Sequence, residues 1–453
     1  MISLYELEEK YKDTLESIEE WVYLRIALGH QLKNNDKNQI SKQTSKFNKL
    51  LKNIKILKNI FYGFRNWFRK YDYICFSDSA ERRLINGIYK DKIMDDVIDR
   101  LNNVLLVELP NSQHYKNIYT KFKVSQSLLN MVIFIYKKIS SHNEVKNKDI
   151  DNILIKEDID FVYKNIIVNT QFEIKIYKML FSMYKPKVIF INCAYCRCGV
   201  VKAARNAGID VIELQHGVIT KAHYGYISSI KLNNSYLPTK LLSFGFNEYT
   251  MKNLLIKKVI PIGSYYLNYL ENNFIIDREL LSKISSYKYI VGVSLQDADW
   301  EFDGMLSFIK NVALKDKNIL YIIIPRKRRD GIKLFDNIML YDKLDCYNLI
   351  LHCNIHVTLY SSCVLEAPTL GIPNIMIDIN KFATKYYNDI LDKYHTKIVD
   401  SEDSFIIAIP EMADLDKNTI KLKNDKVFVT DYERRINNFI KLIFNKKEAK
   451  CKK

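Results

Sequence analysis

Val357–Asp378, VTLYSSCVLEAPTLGIPNIMID, is the stretch from which the fold of this chain can be worked out. An apolar, strand-like run from Ile355 to Tyr360 stops at Ser361-Ser362, a helix-like segment follows from Cys363 to Leu370, and Gly371 ends it. Pro373 and a second apolar run, Asn374 to Ile377, come next, so the stretch predicts a β-turn-α-turn-β unit with a polar turn at the helix start. Small hydroxyl residues and free backbone N–H groups at a helix start form an anion site, because the first amides are unpaired and the dipole is positive there. Glu366 lies one helical turn past Ser362 and stays near the same mouth. A phosphate on the turn and a sugar hydroxyl on the carboxylate together describe a bound nucleotide.

The pattern formed by Ser361, Ser362, Glu366, Ala367, Gly371 and Pro373 resembles the donor-site turn of GT-B glycosyltransferases, especially those that assemble bacterial capsule and O-antigen polysaccharides. A second resemblance lies upstream, in Glu213-Leu-Gln-His-Gly217 with His223 and Gly225-Tyr226. That Q-H-G turn is similar to the acceptor-side loop of the same enzymes and, more distantly, to the W-H-G turn of polyol-phosphate polymerases. The resemblance implies two Rossmann-like, doubly wound α/β domains facing a cleft. It also implies a nucleotide-sugar donor, a lipid-linked oligosaccharide acceptor and no obligatory metal. No cofactor is expected beyond the nucleotide-activated donor, which is a substrate.

The rest of the chain fits that layout. Short apolar runs at Tyr73–Phe76, Val104–Val107, Val188–Ile191, Val211–Leu214 and Leu241–Phe244, most of them separated by helical stretches, predict a parallel sheet. Lys258–Gly263 reads as a last strand and crossover. A second series begins at Tyr289–Val293 and continues through Leu320–Ile324, His356–Tyr360, Asn374–Ile377 and Lys397–Val399. The expected divisions are a helical, basic amphipathic extension over 1–70, an acceptor domain over 71–263, a nucleotide-donor domain over 264–430, and a closing helix with a basic tail over 431–453.

Composition narrows the partners. With 48% hydrophobic and 27% charged residues the chain is globular, and no apolar run reaches the length of a spanning helix. The start, MISLYELEEKYKD, does not have the pattern of a secretory signal, so a cytoplasmic location is expected. The net charge of +17 suits an anionic partner or surface. Nine basic residues and no acidic one fall between Ser41 and Tyr71, beside an apolar stripe that includes Phe47, Leu50, Leu51, Ile54, Leu57, Phe61, Phe64, Trp67 and Phe68. Such a stripe either packs on the first domain or lies on an anionic membrane surface at the inner face of the cell membrane. The basic residues are not interleaved with a nucleic-acid motif, which argues against nucleic acid as partner. Cys193, Cys196 and Cys198 lack a second pair at zinc-ligand spacing and read as packing residues at a βα turn.

Open parallel sheets bind ligands beyond the carboxyl ends of their strands. The polar residues at those positions are Ser77, Asp78, Ser79, Glu108, Asn192, Gln215 and His216 in the first domain. In the second they are Ser294, Gln296, Arg326, Lys327, Arg328, Ser361 and Ser362. Imidazole is the side chain best suited to taking up a proton from a hydroxyl, so His216 is the candidate base, in a turn where Gly217 permits unusual backbone angles; Asp78 is its rival, and equally a helix cap. Gln215, Gly217, His223 and Tyr226 are the acceptor-side candidates. Ser361, Ser362, Glu366, Arg326 and Lys327 are the donor-side candidates, the two basic residues meeting phosphate charge. The E-x7-E pair of many retaining GT-B enzymes is missing, because Thr358 stands eight positions before Glu366, and this favours inversion. Asp297-Ala-Asp299 reads as a loop and not as a metal motif. Alternative functions on this scaffold are polyol-phosphate or phosphosugar transfer and sugar-nucleotide epimerisation; a basic nucleic-acid-binding module is an alternative of another class.

Overall fold

The structure, a computed structural model, describes residues 2–35, 60–85, 87–109, 122–139, 146–221, 223–246, 253–295, 299–325, 331–388 and 390–451. The chain divides into two compact units, one of residues 1–216, 222–243 and 252–260, the other of residues 217–221, 244–251 and 261–453.

The first unit is built on strands β1 (Tyr73–Asp78), β4 (Val104–Leu109), β5 (Lys123–Ser125), β6 (Val188–Asn192), β7 (Asp210–Leu214), β8 (Lys240–Ser243) and β9 (Val259–Pro261). Their order in the sheet is β5-β4-β1-β6-β7-β8-β9, with parallel registers such as Tyr73↔Val104 and Tyr73↔Val188. A hairpin of β2 (Arg82–Ile85) and β3 (Ile88–Asp91) stands apart from the sheet. The second unit has β10 (Tyr289–Ser294), β11 (Ile319–Ile324), β12 (Ile338–Leu340), β13 (Ile355–Thr358), β14 (Asn374–Ile377) and β15 (Thr396–Val399), ordered β12-β11-β10-β13-β14-β15. Each sheet starts in the middle, winds outward over two strands, returns, and winds the other way. This doubly wound order leaves a crevice at the carboxyl ends of β1 and β6, and another at those of β10 and β13. Helices cover both faces of such a sheet, which is why a central strand like β11, ILYIII, is apolar and buried throughout.

The ten strands expected in the two series are present, with ends shifted by a residue or two. The β2–β3 hairpin and the three-residue edge strands β5 and β12 were not foreseen, since runs that short carry no periodicity. Most of the basic stripe, residues 36–59, lies outside the described residues, but its far end departs from expectation. Residues Phe64–Phe68 form a 3-10 helix, not the end of a long α-helix. Residues 60–63 before it are a turn, and Gly63 has φ of 69°, with the space for a Cβ only 1.8 Å from the Lys123 carbonyl oxygen. Only glycine allows so close an approach to β5.

The N-terminal stretch, expected to be helical, folds as three helices, Leu4–Lys10, Lys12–Ser17 and Trp21–Asn35. Ser3 and Glu6 cap the first of these reciprocally. Glu8 and Arg25, both fully buried, then meet between these helices. Arg25 Nη2 donates to Glu8 Oε2 at 3.0 Å and to the Ile227 carbonyl at 3.0 Å, and Nη1 donates to the Tyr224 carbonyl. Trp21 Nε1 adds a hydrogen bond to Glu8 Oε1 at 3.1 Å, and Ser229 Oγ one to Oε2 at 3.2 Å. This ion pair therefore fastens the 223–229 loop to the N-terminal helices. Removing one partner strands a charge in the interior, a cost of about 3–5 kcal/mol. Arg25→Met should accordingly lower the unfolding free energy measured in urea by that order, with a lower midpoint, and Glu8→Leu added to it should restore most of the loss. Equal midpoints for wild type and Arg25→Met would refute the anchoring role.

Candidate functional site

In the second unit, β13 runs into the Ser361-Ser362 turn and the helix Cys363–Thr369, beside the crevice between β10 and β13. Pro368, inside this helix, has no N–H to give the Val364 carbonyl; Asn374 Nδ2 supplies that hydrogen bond at 2.7 Å. Gly371, with φ of 78°, ends the helix. Glu366 is buried within the first turn. Its Oε1 accepts from the Tyr347 hydroxyl at 3.0 Å and its Oε2 from the Ser362 hydroxyl at 3.3 Å.

The expectation of free amides at this helix start is corrected by the structure. Cys363 N–H donates to Ser361 Oγ at 3.3 Å, Val364 N–H to the Ser361 carbonyl at 3.2 Å, and Leu365 N–H to the Ser362 carbonyl at 3.0 Å. The turn tightens into three-residue hydrogen bonds that satisfy its own donors. What the turn offers a ligand is the Ser362 hydroxyl and the Glu366 carboxylate. Arg326 and Lys327, with Arg328 and Gln296, lie outside the described residues.

Behind the turn, three strand ends are tied by a buried histidine. His356 Nε2 is 2.7 Å from Ser294 Oγ on β10, and its Nδ1 is 2.7 Å from Asn374 Oδ1 on β14. Asn374 Nδ2 is spent on Val364 and on Thr396 Oγ1, so Oδ1 is the acceptor, Nδ1 carries the proton, and Ser294 donates to Nε2. Thr358, the residue in place of the second glutamate, is buried and donates to the Ser294 carbonyl at 3.0 Å.

The crevice of the first unit is filled by the protein itself. Arg197, buried, donates to the Asn192 carbonyl at 3.0 Å and to the Ser77 carbonyl at 3.2 Å. Asn192 Nδ2 reaches Ser77 Oγ at 3.2 Å, and Ser77 donates to Asp91. The N-terminus of the helix Cys198–Asn206 is also occupied: the Gly199 N–H bonds the Glu173 carboxylate, whose side chain takes the space a Cβ at Gly199 would need. Asp78 caps the short helix Ser79–Glu81 by accepting from Ala80 N–H at 2.9 Å, and no hydrogen bond joins it to His216.

His216, half-buried, follows β7 and sits in an aromatic cluster that the sequence only partly revealed. Tyr195 is its centre, with ring centroids 6.0 Å from His216, 5.1 Å from His223 and 5.4 Å from Tyr226. Gly225 is required here, since a Cβ would lie 2.5 Å from the Tyr195 ring. His223 Nδ1 accepts from Gly225 N–H at 3.2 Å. Tyr226, buried, donates to Glu213 Oε1 at 2.6 Å, and Ala194 N–H donates to the same oxygen at 3.0 Å. Burial raises the Glu213 carboxyl to about 7 despite those two donors. Gln215 continues the sheet pairing through its N–H to the Leu242 carbonyl at 2.9 Å. Gly217 does not use the backbone freedom expected of it: its φ is outside the left-handed region and a Cβ there would meet nothing within 4 Å. The Cys193 thiol, pushed up chiefly by its hydrogen bond to Cys196 and then by burial, is drawn down by His216.

No protein-family model matches the chain, and no curated protein matches it in sequence. Its likeness is to solved structures. A UDP-N-acetylglucosamine 2-epimerase aligns over 84% of this chain and 97% of its own, with 12% identity and a TM-score of 0.50. The S. aureus protein MnaA, solved with UDP, aligns over 83% and 97%, with 12% identity and a TM-score of 0.51. A glycotransferase of kitacinnamycin aligns over 79% and 94%, with 10% identity and a TM-score of 0.49. The chain has the GT-B fold. At such identities the likeness is one of architecture, and the chemistry has to be argued from the residues.

Burial pushes the His356 imidazole down to about 4, against the pull of its bond to Asn374. The folded state thus takes up this proton less readily than the unfolded chain, whose histidine titrates near 6.5. Stability contributed by the neutral ring is present above about 6.5 and is lost as pH falls toward 4, on the order of 3 kcal/mol in all. Glutamine at 356 cannot be protonated. The thermal midpoint of wild type should therefore fall toward that of His356→Gln between pH 6.5 and 4. A constant gap over that range would show that the ring does not titrate as its burial demands.

Proposed function

We propose that this protein transfers a sugar from a nucleotide-activated donor to a hydroxyl of a lipid-linked surface polysaccharide, with inversion and without a metal. The observation that carries this reading is Glu366, a buried carboxylate beside the Ser362 hydroxyl at the strand crossover of the second unit. A carboxylate there accepts from ribose hydroxyls, and the serine can turn from Glu366 to a phosphate oxygen. The first unit's equivalent crevice is closed by Arg197, Ser77 and Asn192, which favours the second unit as the nucleotide domain. In this reading Arg326 and Lys327 add positive charge to the donor side. His216 removes the proton of the acceptor hydroxyl as its oxygen attacks the anomeric carbon, and the bonding pair to the phosphate oxygen leaves with the nucleotide. Gln215, Gly217, His223 and Tyr226 shape the acceptor side. Asp78, already committed to a cap, is the weaker candidate for the base. Thr358 in place of a second glutamate supports inversion.

Ser362→Asp sets a negative charge against the ligand's own. UDP affinity measured by calorimetry should fall by about 1–3 kcal/mol, the scale of a lost charge-assisted hydrogen bond, in a variant that still folds. His216→Ala should bind UDP nearly as wild type yet turn over about 100-fold slower or worse, the usual scale of general base catalysis. Turnover is read as UDP released from a panel of UDP-sugars in the presence of a lipid-linked acceptor extract. Unchanged UDP binding in Ser362→Asp would remove the turn from the site. Conversion of the sugar without any acceptor would identify an epimerase instead.

An anionic membrane surface as partner is supported at the described end of the basic stretch, where Phe61, Phe64 and Phe68 are exposed, with ring centroids 6.1 and 5.2 Å apart in sequence. Each basic residue near such a surface contributes about 1 kcal/mol. The protein should float with anionic vesicles at low salt, and a Lys49, Lys52, Lys55, Lys58→Glu variant should not; equal flotation of the two would exclude this segment.

A further inference from the structure

Two cysteines stand at the starts of two helices beside Glu366. Cys363 opens the helix Cys363–Thr369 immediately after Ser362, and Cys346 opens the helix Cys346–Ile350. Their sulfurs are 3.7 Å apart. The residue after Cys346 is Tyr347, whose hydroxyl holds Glu366. The two helix starts are therefore joined twice, once through oxygen and once through sulfur. Cys346 is the less buried of the two, its thiol raised by its hydrogen bond to Cys363 and by burial, while Cys363 is buried. The start of the Cys346 helix is well fixed: Asp345 caps it by accepting from Tyr347 N–H at 3.0 Å, and accepts at its other oxygen from the Tyr266 hydroxyl at 3.1 Å. Cys363 is held less firmly, its N–H making only the 3.3 Å bond to Ser361 Oγ.

We propose that Cys346 and Cys363 form a reversible disulfide that reshapes the Ser361–Glu366 turn and weakens its hold on nucleotide; the second half of this proposal rests on the nucleotide reading above. A peroxide serves as oxidant. Cys346, the less buried of the two, gives its thiol proton to solvent against the pull of its hydrogen bond to Cys363; its sulfur attacks one peroxide oxygen, the O–O bond breaks, and the departing hydroxide takes up a proton, so that a sulfenic acid and water form. The Cys363 sulfur then attacks the Cys346 sulfur, the S–O bond breaks, and a second water leaves. Two thiols and one hydrogen peroxide thus give one disulfide and two waters. A dithiol reductant reverses the bond by exchange. A disulfide is about 2.05 Å long, so the sulfurs close by about 1.6 Å from their present separation. Because the Cys346 side is fixed by Asp345, the displacement falls on Cys363 and on its neighbour Ser362.

The test uses the full chain, reduced and then treated with hydrogen peroxide. Peptide mapping without reductant should recover the Cys346 and Cys363 peptides cross-linked, and dithiothreitol should release them. Hydrogen exchange of the amides in residues 361–366 should change on oxidation. UDP affinity should fall at least tenfold in oxidised wild type and stay unchanged in Cys346→Ser, which keeps Cys193 and Cys196 and so controls for oxidation there. Absence of the cross-link, or a stable sulfenic acid on Cys346 in its place, overturns the proposal. A cross-link that leaves both exchange and UDP affinity unchanged overturns the coupling to the turn. A cross-link with altered exchange in a protein that binds UDP in neither state upholds the disulfide and sinks the nucleotide reading instead.

Discussion

A single neutral imidazole holds the second unit's crevice in shape. His356 is buried in the middle of β13, where a charged ring would be costly. It stays neutral, and a neutral imidazole has one donor and one acceptor, each of which must be matched. Asn374 from β14 takes the donor and Ser294 from β10 fills the acceptor, so the ring fixes the separation of three strand ends. Asn374 then passes the constraint on. Its other side-chain group repairs the carbonyl that Pro368 leaves unpaired, which sets the helix that carries Glu366. The position of the candidate ligand-binding carboxylate thus follows from hydrogen-bond accounting that begins several residues away.

The two units share a winding order and differ in what fills the crevice. In the first unit the positive end of a helix is satisfied by Glu173, and Arg197 spends its guanidinium on two main-chain carbonyls. An incoming phosphate would find the donors taken. In the second unit the amides are also satisfied, but by main-chain oxygens and a small hydroxyl, which leave the side chains of Ser362 and Glu366 adjustable. Topology marks where a ligand can bind, and the side chains decide whether that place is open.

The sequence exposed the strands, their grouping into two parallel sheets and the β-turn-α-turn-β unit because each depends on local periodicity or on a punctuating glycine. It exposed Ser362 and Glu366 as neighbours because they are one helical turn apart. It did not show Tyr195 among His216, His223 and Tyr226, since nothing local links that tyrosine to a loop beyond the next strand; only the glycine at 225 hinted at a close approach. Nor did it decide between base and cap for Asp78, or show that the helix-start amides at 363–365 are paired, or that Arg25 and Glu8 fasten the 223–229 loop. Each of these is decided by which oxygen lies nearest in space. The stripe through Phe68 misled for a related reason. Helical spacing persists through Gly63, but the close approach to β5 there needs a left-handed backbone angle that an α-helix does not have.

Proton linkage runs in opposite senses in the two units. Glu213 is raised to about 7 by burial, so the folded first unit holds that proton more tightly than the unfolded chain. Its contribution is full below the ordinary carboxyl value and is lost as pH rises toward 7. His356, depressed to about 4, contributes fully above the ordinary imidazole value and loses that contribution as pH falls. Acid therefore loosens the second unit's crevice, while neutrality charges the carboxylate under the His216 cluster. That charge has a use. An ionised Glu213, bonded to Tyr226 and to the Ala194 amide, places a negative potential beneath the aromatic cluster. An imidazole that takes up a proton from a hydroxyl is stabilised by such a potential. In the proposed reaction, the pH at which the first unit gives up stability is then also the pH at which His216 is best supported as the base.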